Sequence, residues 1–405
     1  MGASFLVCCA PLQSGADRRE LGKPDTASSD GGDGSVVDTA EDAEDAGAEV
    51  DAPIEAGPCP LDLTSVPIVD VPPTLTTDTH WDCHVRYRLT TVTYVISPAT
   101  LTISAGTNIV ANLESALVVT RGAKLVAEGT ATSPIVFSSS PVTGRHTPGG
   151  WGGLLLLGDA LTNAGDVPLG ALGGPTSPDA RARYGGTNDS GSCGTLRYVR
   201  VEFAGDILPG AVQNSPGLGL AGCGSGTVVD FVQTHLTLDT AIKVWGGSVG
   251  LRHVVATRSY GDAIHLTAGF HGRMQFVVAQ NDPARDGRGL VLANNDASAK
   301  WSAVPRTTPL LYNATFIGAH ERASRRADAV VFTRGGFGRI FDSIFLGYGG
   351  QAAEFTDEPT GVSDVPAIYG TPDRTDIESS DWYQNGADDS TYFTSAGDAA
   401  GPWPI

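Results

Sequence analysis

The feature that most constrains the fold is a repeat of about 22 residues in the second half of the chain. Residues 241–256 align with residues 263–278 at an offset of 22. The segment that begins at Asp262 recurs at Asp328, an offset of 66 that we interpret as two repeats with an insertion near residues 297–308. Repeats of this length, each with two or three short strands, are typical of the coils of a parallel β-helix.

A shorter period near the first third of the chain predicts the same architecture. Apolar residues step by eight from Leu101 through Ile109 and Leu117 to Leu125. Strands this short and regular suit a chain that turns a corner after each strand, so that successive coils stack about 4.8 Å apart with parallel pairing. The alternative is a β-sandwich or a propeller, but propeller blades repeat at about 40 residues or more.

Alternation of side chains along each strand predicts which residues form the core. The first ladder of inward residues is Ile242, Val244, Ile264, Leu266, Leu290, Leu292, Val330 and Phe332. Other residues expected to point inward are Val199, Val201, Phe203, Met274, Phe276, Val278, Phe341 and Phe345. Because each coil would stack on the one before, these side chains should form continuous apolar columns.

Charge is concentrated at the two ends of the chain. The whole sequence carries a net charge of −19, with −10 in residues 17–56, −10 in residues 351–405 and +1 between them. An acidic segment without aromatic residues cannot bury enough apolar surface to fold, so residues 14–57 are interpreted as a disordered linker. The negative charge also argues against nucleic-acid binding, because phosphate would be repelled.

The first residues resemble the end of a bacterial lipoprotein signal. Leu6, Val7 and Cys8 precede Cys9, the predicted site of lipidation. The alternative is a disordered N-terminus with two incidental cysteines. The predicted organisation is a signal remnant (1–13), an acidic linker (14–57), an N-terminal cap (58–92), a parallel β-helix (93–370) and a C-terminal cap or tail (371–405).

The remaining four cysteines fit an exported protein. We predict the disulfides Cys59–Cys83 and Cys193–Cys223, and the alternative is four reduced thiols. The sequence contains no CxxC motif and no Cys/His metal spacing, so a zinc site is not predicted.

Several motifs resemble those of one known group of proteins. The motifs lie at residues 151–158, 196–205, 217–227, 239–247 and 261–276. Over roughly residues 93–350, this chain looks like the exported, often lipid-anchored bacterial proteins that have a right-handed parallel β-helix of the pectin-lyase-like type. The resemblance implies residence at the outer membrane or cell surface, and it transfers no catalytic residue.

This chain also departs from the pattern of that group. A paired aspartate with a further aspartate is usual where this sequence has residues 261–265, and an acidic residue is usual near residues 213–214. Both departures remove carboxylates, so the resemblance implies no metal or acid–base role at these places.

Strand alternation places Lys243 and His265 at equivalent outward positions on adjacent coils, about 5 Å apart. Asp262 precedes one of these strands, and His271 and Arg273 follow the next corner. These five residues form a candidate glycan-contact patch, because outward strand faces of β-helices are used for carbohydrate chemistry. The alternative is that Asp262, like its counterpart Asp328, caps a corner by accepting backbone hydrogen bonds.

The sequence therefore predicts an all-β, single-domain right-handed parallel β-helix that acts as a non-catalytic surface protein. Its expected partner is a polysaccharide or another cell-envelope component, with membrane contact only through a lipid anchor, and the chain is expected to be a monomer. The rival function is a polysaccharide lyase or glycoside hydrolase acting on the outward strand face. No cofactor is predicted apart from a Ca²⁺ ion that carboxylates could bind.

Overall fold

The computed structural model describes residues 57–140, 146–172, 179–319, 327–356, 375–383, 385 and 393–395. These residues form β-strands, four short 3₁₀ helices and no α-helix. The 3₁₀ helices are Leu63–Ser65, Gly170–Leu172, Ala180–Ala182 and Ser298–Lys300. The predicted lipidation site Cys9 and the acidic linker lie outside the described residues.

The strands follow one another closely along the chain, as the short repeats predict. In chain order they are β1 (Ile68–Asp70), β2 (Thr74–Leu75), β3 (Thr79–Trp81), β4 (Arg86–Leu89), β5 (Val92–Val95), β6 (Thr100–Ser104), β7 (Asn108–Ala111), β8 (Ala116–Val119), β9 (Lys124–Glu128), β10 (Ile135–Ser139), β11 (Leu154–Leu157), β12 (Val167–Pro168), β13 (Arg183–Tyr184), β14 (Gly194–Glu202), β15 (Leu218–Ala221), β16 (Val228–His235), β17 (Ile242–Trp245), β18 (Gly250–Ser259), β19 (Ile264–Thr267), β20 (Arg273–Asn281), β21 (Leu290–Ala293), β22 (Leu310–Ile317), β23 (Val330–Thr333), β24 (Arg339–Phe341), β25 (Ile344–Leu346), β26 (Ala353–Thr356), β27 (Asp376–Glu378), β28 (Asp381–Tyr383) and β29 (Phe393–Ser395).

Two large sheets run along the molecule. The eleven-stranded sheet has the order β2-β5-β8-β11-β15-β17-β19-β21-β23-β26-β29, and the sixteen-stranded sheet holds the other strands except β12 and β13. The two sheets contain parallel pairs, whereas β12 and β13 form a small antiparallel pair. Each strand thus pairs with its equivalent one coil later, which confirms the right-handed parallel β-helix.

The strand register confirms the repeats found in the sequence. Leu101 pairs with Leu125, which makes three steps of eight residues one full coil. Ile264 pairs with Leu290 and Leu290 with Val330, so the offset of 66 spans two coils. Pairing starts with β1, within the segment predicted as the N-terminal cap, and β27 to β29 extend the stack in the C-terminal segment.

The first predicted ladder forms the centre of the core. All eight of its residues are at most 2% exposed, and they stack in register from β17 to β23. Burying a large aliphatic side chain contributes roughly 1.5–3 kcal/mol, so the column supplies much of the stability of the coils.

The second set of inward residues was only partly right. Val199, Val201, Met274 and Phe345 are buried as predicted. Phe203 and Phe341 are only partly buried, and Phe276 and Val278 are 38% and 42% exposed. Strict alternation of the side chains fails because Phe203 and Phe276 adopt the left-handed backbone region, with φ values of 58° and 59°. This conformation turns the strand, so the alternation of inward and outward side chains starts again after it.

A column of left-handed residues marks this turn on successive coils. Tyr198, Phe231, His253 and Phe276 all have positive φ, and their rings stack face to face at centroid distances of 4.3–4.9 Å. Since each inner ring has both faces covered by its neighbours, the stack presents its ring edges to solvent. The column therefore stabilises a corner rather than offering a row of aromatic platforms.

Both predicted disulfides are present. Cys59 bonds to Cys83 and Cys193 to Cys223. Cys193 and Cys223 are fully buried, and their bond ties the end of the long connection between β11 and β14 to the corner after β15. This connection covers part of the outer surface of the β-helix.

A second apolar cluster lies outside the eleven-stranded sheet. The insertion comprises residues 158–193, between β11 and β14, and its described part packs on outward side chains of the first coils. The insertion contributes Leu169, Ala171, Leu172, Ala182 and Tyr184. The sheet contributes Tyr94, Val118, Leu155, Leu157, Ala221 and Trp245. The outer face of the sheet is therefore covered at one end, and the polar residues described below begin where this cover stops.

Candidate functional site

Lys243 and His265 lie side by side on the outer face of the eleven-stranded sheet. Strands β17 and β19 pair in parallel with Lys243 opposite His265, which is the predicted register. Their Cα atoms are therefore about 4.8 Å apart. Both side chains point away from the core because their strand neighbours Ile242 and Ile264 point into it.

The carboxylate of Asp262 joins His265 to Arg288. Its Oδ2 atom accepts a hydrogen bond from Nδ1 of His265 at 2.9 Å and one from Nη2 of Arg288 at 2.9 Å. Its Oδ1 atom accepts a hydrogen bond from Nε of Arg288 at 2.7 Å. Since Nδ1 of the imidazole faces a carboxylate, the neutral ring carries its proton there and keeps a lone pair on Nε2.

This arrangement shifts the pKa values of His265 and Asp262 and so fixes which of the two carries a charge at neutral pH. Burial, together with the positive charge of Lys243, lowers the pKa of His265 to about 4, although the hydrogen bond to Asp262 opposes the shift. Burial by itself would raise the pKa of Asp262, but His265 and Arg288 hold it below its ordinary value. At neutral pH the site therefore contains an aspartate anion and a neutral imidazole.

Lys243 carries a partly buried amine on the neighbouring strand. Burial lowers its pKa, while the carboxylates of Asp296, Asp262 and Asp239 act in the opposite direction. Within the described part of the chain, its ammonium group makes no hydrogen bond or ion pair, and Nζ lies 5.1 Å from the centre of the Trp245 ring. A buried amine beside an uncharged imidazole is an unusual arrangement for a purely structural surface.

A ladder of alternating charges borders the pair. Asp262, Arg288 and Asp328 occupy equivalent positions on three successive coils, since Ile264, Leu290 and Val330 pair in register two residues later. Arg288 thus lies between two carboxylates, which raise its pKa against the effect of burial.

The predicted alternative of corner capping holds for one of the two aspartates. Oδ1 of Asp328 accepts a hydrogen bond from the backbone N–H of Gln351 at 2.6 Å. Burial raises the pKa of Asp328, and its carboxyl is hydrogen-bonded to the side chain of Glu354. The side-chain partners of Asp262, in contrast, are His265 and Arg288, so Asp262 belongs to the site in addition to its corner.

The Lys243–His265 pair forms a narrow opening between buried neighbours. In the same outward row, Leu155 and Gly219 precede Lys243 and are buried, and Val291 follows His265 and is 1% exposed. The buried residues of the adjacent outward row are Ala221, Trp245, Thr267 and Ala293. Between Tyr94 and Val331 of the first row, the partly accessible residues are Lys243 and His265, so the opening spans about one strand spacing.

The other two predicted site residues lie elsewhere. Nδ1 of His271 is 2.8 Å from the carbonyl oxygen of Gly269, and its Nε2 is 2.9 Å from Oδ2 of Asp189. Arg273 begins β20 in the sixteen-stranded sheet and is exposed. The structure therefore brings together Lys243, His265 and Asp262, and separates them from His271 and Arg273 by a corner of the coil.

Arg288 is the site residue that the sequence analysis missed. Its coil is longer than its neighbour, because Ile264 pairs with Leu290 at an offset of 26 rather than 22. A fixed repeat length could not align Arg288 with Asp262. The signal available in the sequence is the position of Arg288. It lies two residues before Leu290, as Asp262 lies two residues before Ile264 on the preceding coil.

Metal binding receives no geometric support at this place. Among the described residues, no group of three or more histidine, cysteine or carboxylate side chains is arranged to hold a metal ion. The carboxylate of Asp262 is already bonded to Arg288 and His265. A bound Ca²⁺ ion remains a prediction from the sequence.

Comparison with known protein families places these observations in context. Residues 73–378 match the family described as a pectate-lyase-like beta helix domain. The chain belongs to this family. The match includes most strands of both sheets and the Lys243–His265 pair, and it identifies a carbohydrate-related family rather than a particular activity.

No curated protein and no solved structure matches the chain. In the part of the chain that the structure describes, no helix is long and apolar enough to cross a membrane.

Proposed function

We propose that this protein is an exported, non-catalytic β-helix that binds carbohydrate and recognises one saccharide residue at the Lys243–His265 opening. The single observation that carries this proposal is the pair itself: two polar, partly accessible side chains between buried stretches of an outer row, one of them a lysine that makes no ion pair within the described residues. Export and anchoring through a lipid on Cys9 belong to the same proposal, and the two disulfides support an oxidising compartment.

The chemistry of the pair suits a sugar. The ammonium group of Lys243 offers three hydrogen-bond donors, and Nε2 of the neutral His265 offers an acceptor. Adjacent sugar hydroxyls can accept from the first and donate to the second. Asp262 and Arg288 hold the imidazole in one orientation, so little side-chain entropy is lost when the ligand binds.

The shape of the opening favours binding over cleavage within a chain. An enzyme that cuts inside a polysaccharide must hold sugar residues on both sides of the bond that breaks. Here Leu155 on one side and Val291 on the other are covered, so the row offers no continuous groove for neighbouring sugars. Recognition of a terminal or single residue fits this geometry.

A lyase or hydrolase is the second candidate, and one observation favours it. The neutral imidazole of His265, oriented by Asp262 and with Nε2 unprotonated, has the features of a general base. The hydrogen-bonded carboxyls of Asp328 and Glu354, which lie one and two coils further along from Arg288, could supply an acid.

Binding and product measurements on the full chain separate the two candidates. Purified protein is titrated with a panel of oligosaccharides by calorimetry, with and without Ca²⁺, while reducing ends and unsaturated products are followed. We expect binding without products, and a loss of affinity of about tenfold or more in Lys243→Met and His265→Asn. Lys124→Met changes an exposed lysine on β9 and should leave binding unchanged.

Two results would overturn the proposal. Product formation that His265→Asn abolishes would establish the enzyme, and binding that neither substitution weakens would place the carbohydrate site elsewhere on the molecule.

A further inference from the structure

The environment of Lys243 has a chemical consequence beyond hydrogen bonding. Lysine becomes a nucleophile when its amine loses a proton, and a low-dielectric site without a counter-ion promotes this loss. Lys243 is partly buried, and within the described residues its ammonium group makes no ion pair. Burial lowers its pKa, although the nearby carboxylates of Asp296, Asp262 and Asp239 act in the opposite direction.

The neighbouring imidazole is placed to accept a proton from this amine. Lys243 and His265 are register partners on adjacent strands and share one opening. The hydrogen bond from Nδ1 to Asp262 leaves the lone pair of Nε2 available, and burial keeps the ring neutral at pH 7. An amine with an adjacent base is the arrangement needed for attack on a carbonyl carbon.

The size of the opening restricts which carbonyl compound can enter. Lys243 and His265 lie between buried stretches of the row, with Leu155 on one side and Val291 and Val331 on the other, so the interior of a polysaccharide cannot lie along it. A chain end can enter, and the reducing end is the sugar residue that exposes an aldehyde in its open form. The carboxylates of Asp239, Asp262 and Asp296 would stabilise a positively charged product at this position.

We infer that Lys243 captures the open-chain aldehyde of a reducing sugar as a reversible imine, with His265 as the proton acceptor; this inference rests on the carbohydrate-binding function proposed above. The unprotonated amine nitrogen bonds to the aldehyde carbon as the C=O π electrons move to oxygen, one N–H proton passes to Nε2 of His265, and the oxygen takes a proton from solvent water to become a hydroxyl. The nitrogen keeps its second proton, so the product is a protonated imine. The proton on His265 then returns to that hydroxyl, which leaves as water as the C=N bond forms. No oxidation or reduction occurs.

The four lysines of the chain make the test internally controlled. The full-length protein is incubated with glycolaldehyde and sodium cyanoborohydride, which reduces imines to stable amines, and labelling is mapped by peptide mass spectrometry. We expect Lys243 to be labelled at least tenfold faster than Lys124 and Lys300, which are exposed. Equal or slower labelling of Lys243 would overturn the inference, and this comparison requires no variant to fold.

A variant then tests the base. His265→Asn should slow labelling of Lys243 about tenfold without changing labelling of Lys124, whereas His84→Asn changes a partly exposed histidine near β4 and should leave both rates unchanged. If His265→Asn folds and labels Lys243 at the wild-type rate, the proton-transfer role is wrong.

A chemically reduced ligand separates this inference from the proposed function. An oligosaccharide that binds is converted to its alditol, which has no aldehyde, and both forms are titrated. Weaker binding of the alditol supports imine formation. Equal binding of both forms would leave carbohydrate recognition standing and overturn the imine, whereas fast labelling by glycolaldehyde with no oligosaccharide bound would overturn the proposed function.

Discussion

Two stretches of one outward row on the eleven-stranded sheet have opposite characters. In register along successive coils, the compared part of the row is Tyr94, Val118, Leu155, Gly219, Lys243 and His265. The first three side chains are buried beneath the insertion of residues 158–193, and the last two are polar and partly accessible. Identical backbone positions thus serve as core in one region and as a candidate site in the other.

Trp245 forms the boundary between the two regions. Its ring packs in the outer apolar cluster, and Nζ of Lys243 lies 5.1 Å from its centre. Gly219 leaves room for the side chains of Leu155 and Trp245 on either side of it, because a Cβ atom at this position would lie 2.5 Å from Leu155 and 3.2 Å from the indole ring. The comparison shows that the outer face of a β-helix acquires its role from what covers it, since the compared residues occupy equivalent positions in register on successive strands.

The largest effect is expected from moving a charge into the covered region. Leu155→Lys should lower the free energy of unfolding by about 4 kcal/mol or more, because an unpaired ammonium would be buried beneath the insertion. The reciprocal change Lys243→Leu should cost less than about 1 kcal/mol, since it removes a charge that burial already disfavours. Denaturant unfolding of both variants measures the difference, and equal losses would show that the two regions do not differ as described.

A smaller effect should follow from releasing the cover. Replacing Cys193 and Cys223 together by alanine should lower stability by about 3 kcal/mol, because the disulfide closes a loop across a sequence separation of 30. Trypsin should then cleave faster at Arg181 and Arg183 within the insertion.

The matched control replaces Cys59 and Cys83, which close a loop of similar length far from the insertion in sequence. Its trypsin cleavage at the two arginines should remain slow. Fast cleavage in the control would mean that the insertion is held by general stability rather than by its own disulfide.

The smallest expected effect is a pH dependence confined to the open region. His265 has a folded pKa of about 4 against an ordinary value of 6.5, so the unfolded chain binds more protons in this interval. Stability from this group is fully present above about pH 6.5 and is lost as the pH falls towards 4. Between pH 6.5 and about pH 5 the wild type should lose about 2 kcal/mol relative to His265→Asn, measured by urea unfolding at each pH. Parallel curves for the two proteins would show that the imidazole is not held neutral.

Much of the architecture could be predicted because a β-helix repeats locally. The period of about 22 residues, the first apolar ladder and the disulfide pairs were all predicted from sequence and are confirmed. The errors at Phe203 and Phe276 arose where single residues adopt positive φ, which no alternation pattern of apolar residues reveals.

The candidate site was predicted in part for the same reason. Lys243 and His265 were correctly paired because they lie in neighbouring coils of equal length, and Arg288 was missed because its coil is longer. His271 and Arg273 were grouped with them by proximity in sequence, although a corner turns them away.

The sequence by itself determined the coil and its buried centre, because inward apolar residues at a regular spacing are removed from water only when successive coils stack on one another. Only the tertiary structure decided which outward positions are covered. The insertion returns to the sheet through long-range packing and a disulfide, and its described part leaves Lys243 and His265 partly accessible. Accessibility depends on segments distant in the chain, so no local pattern encodes it.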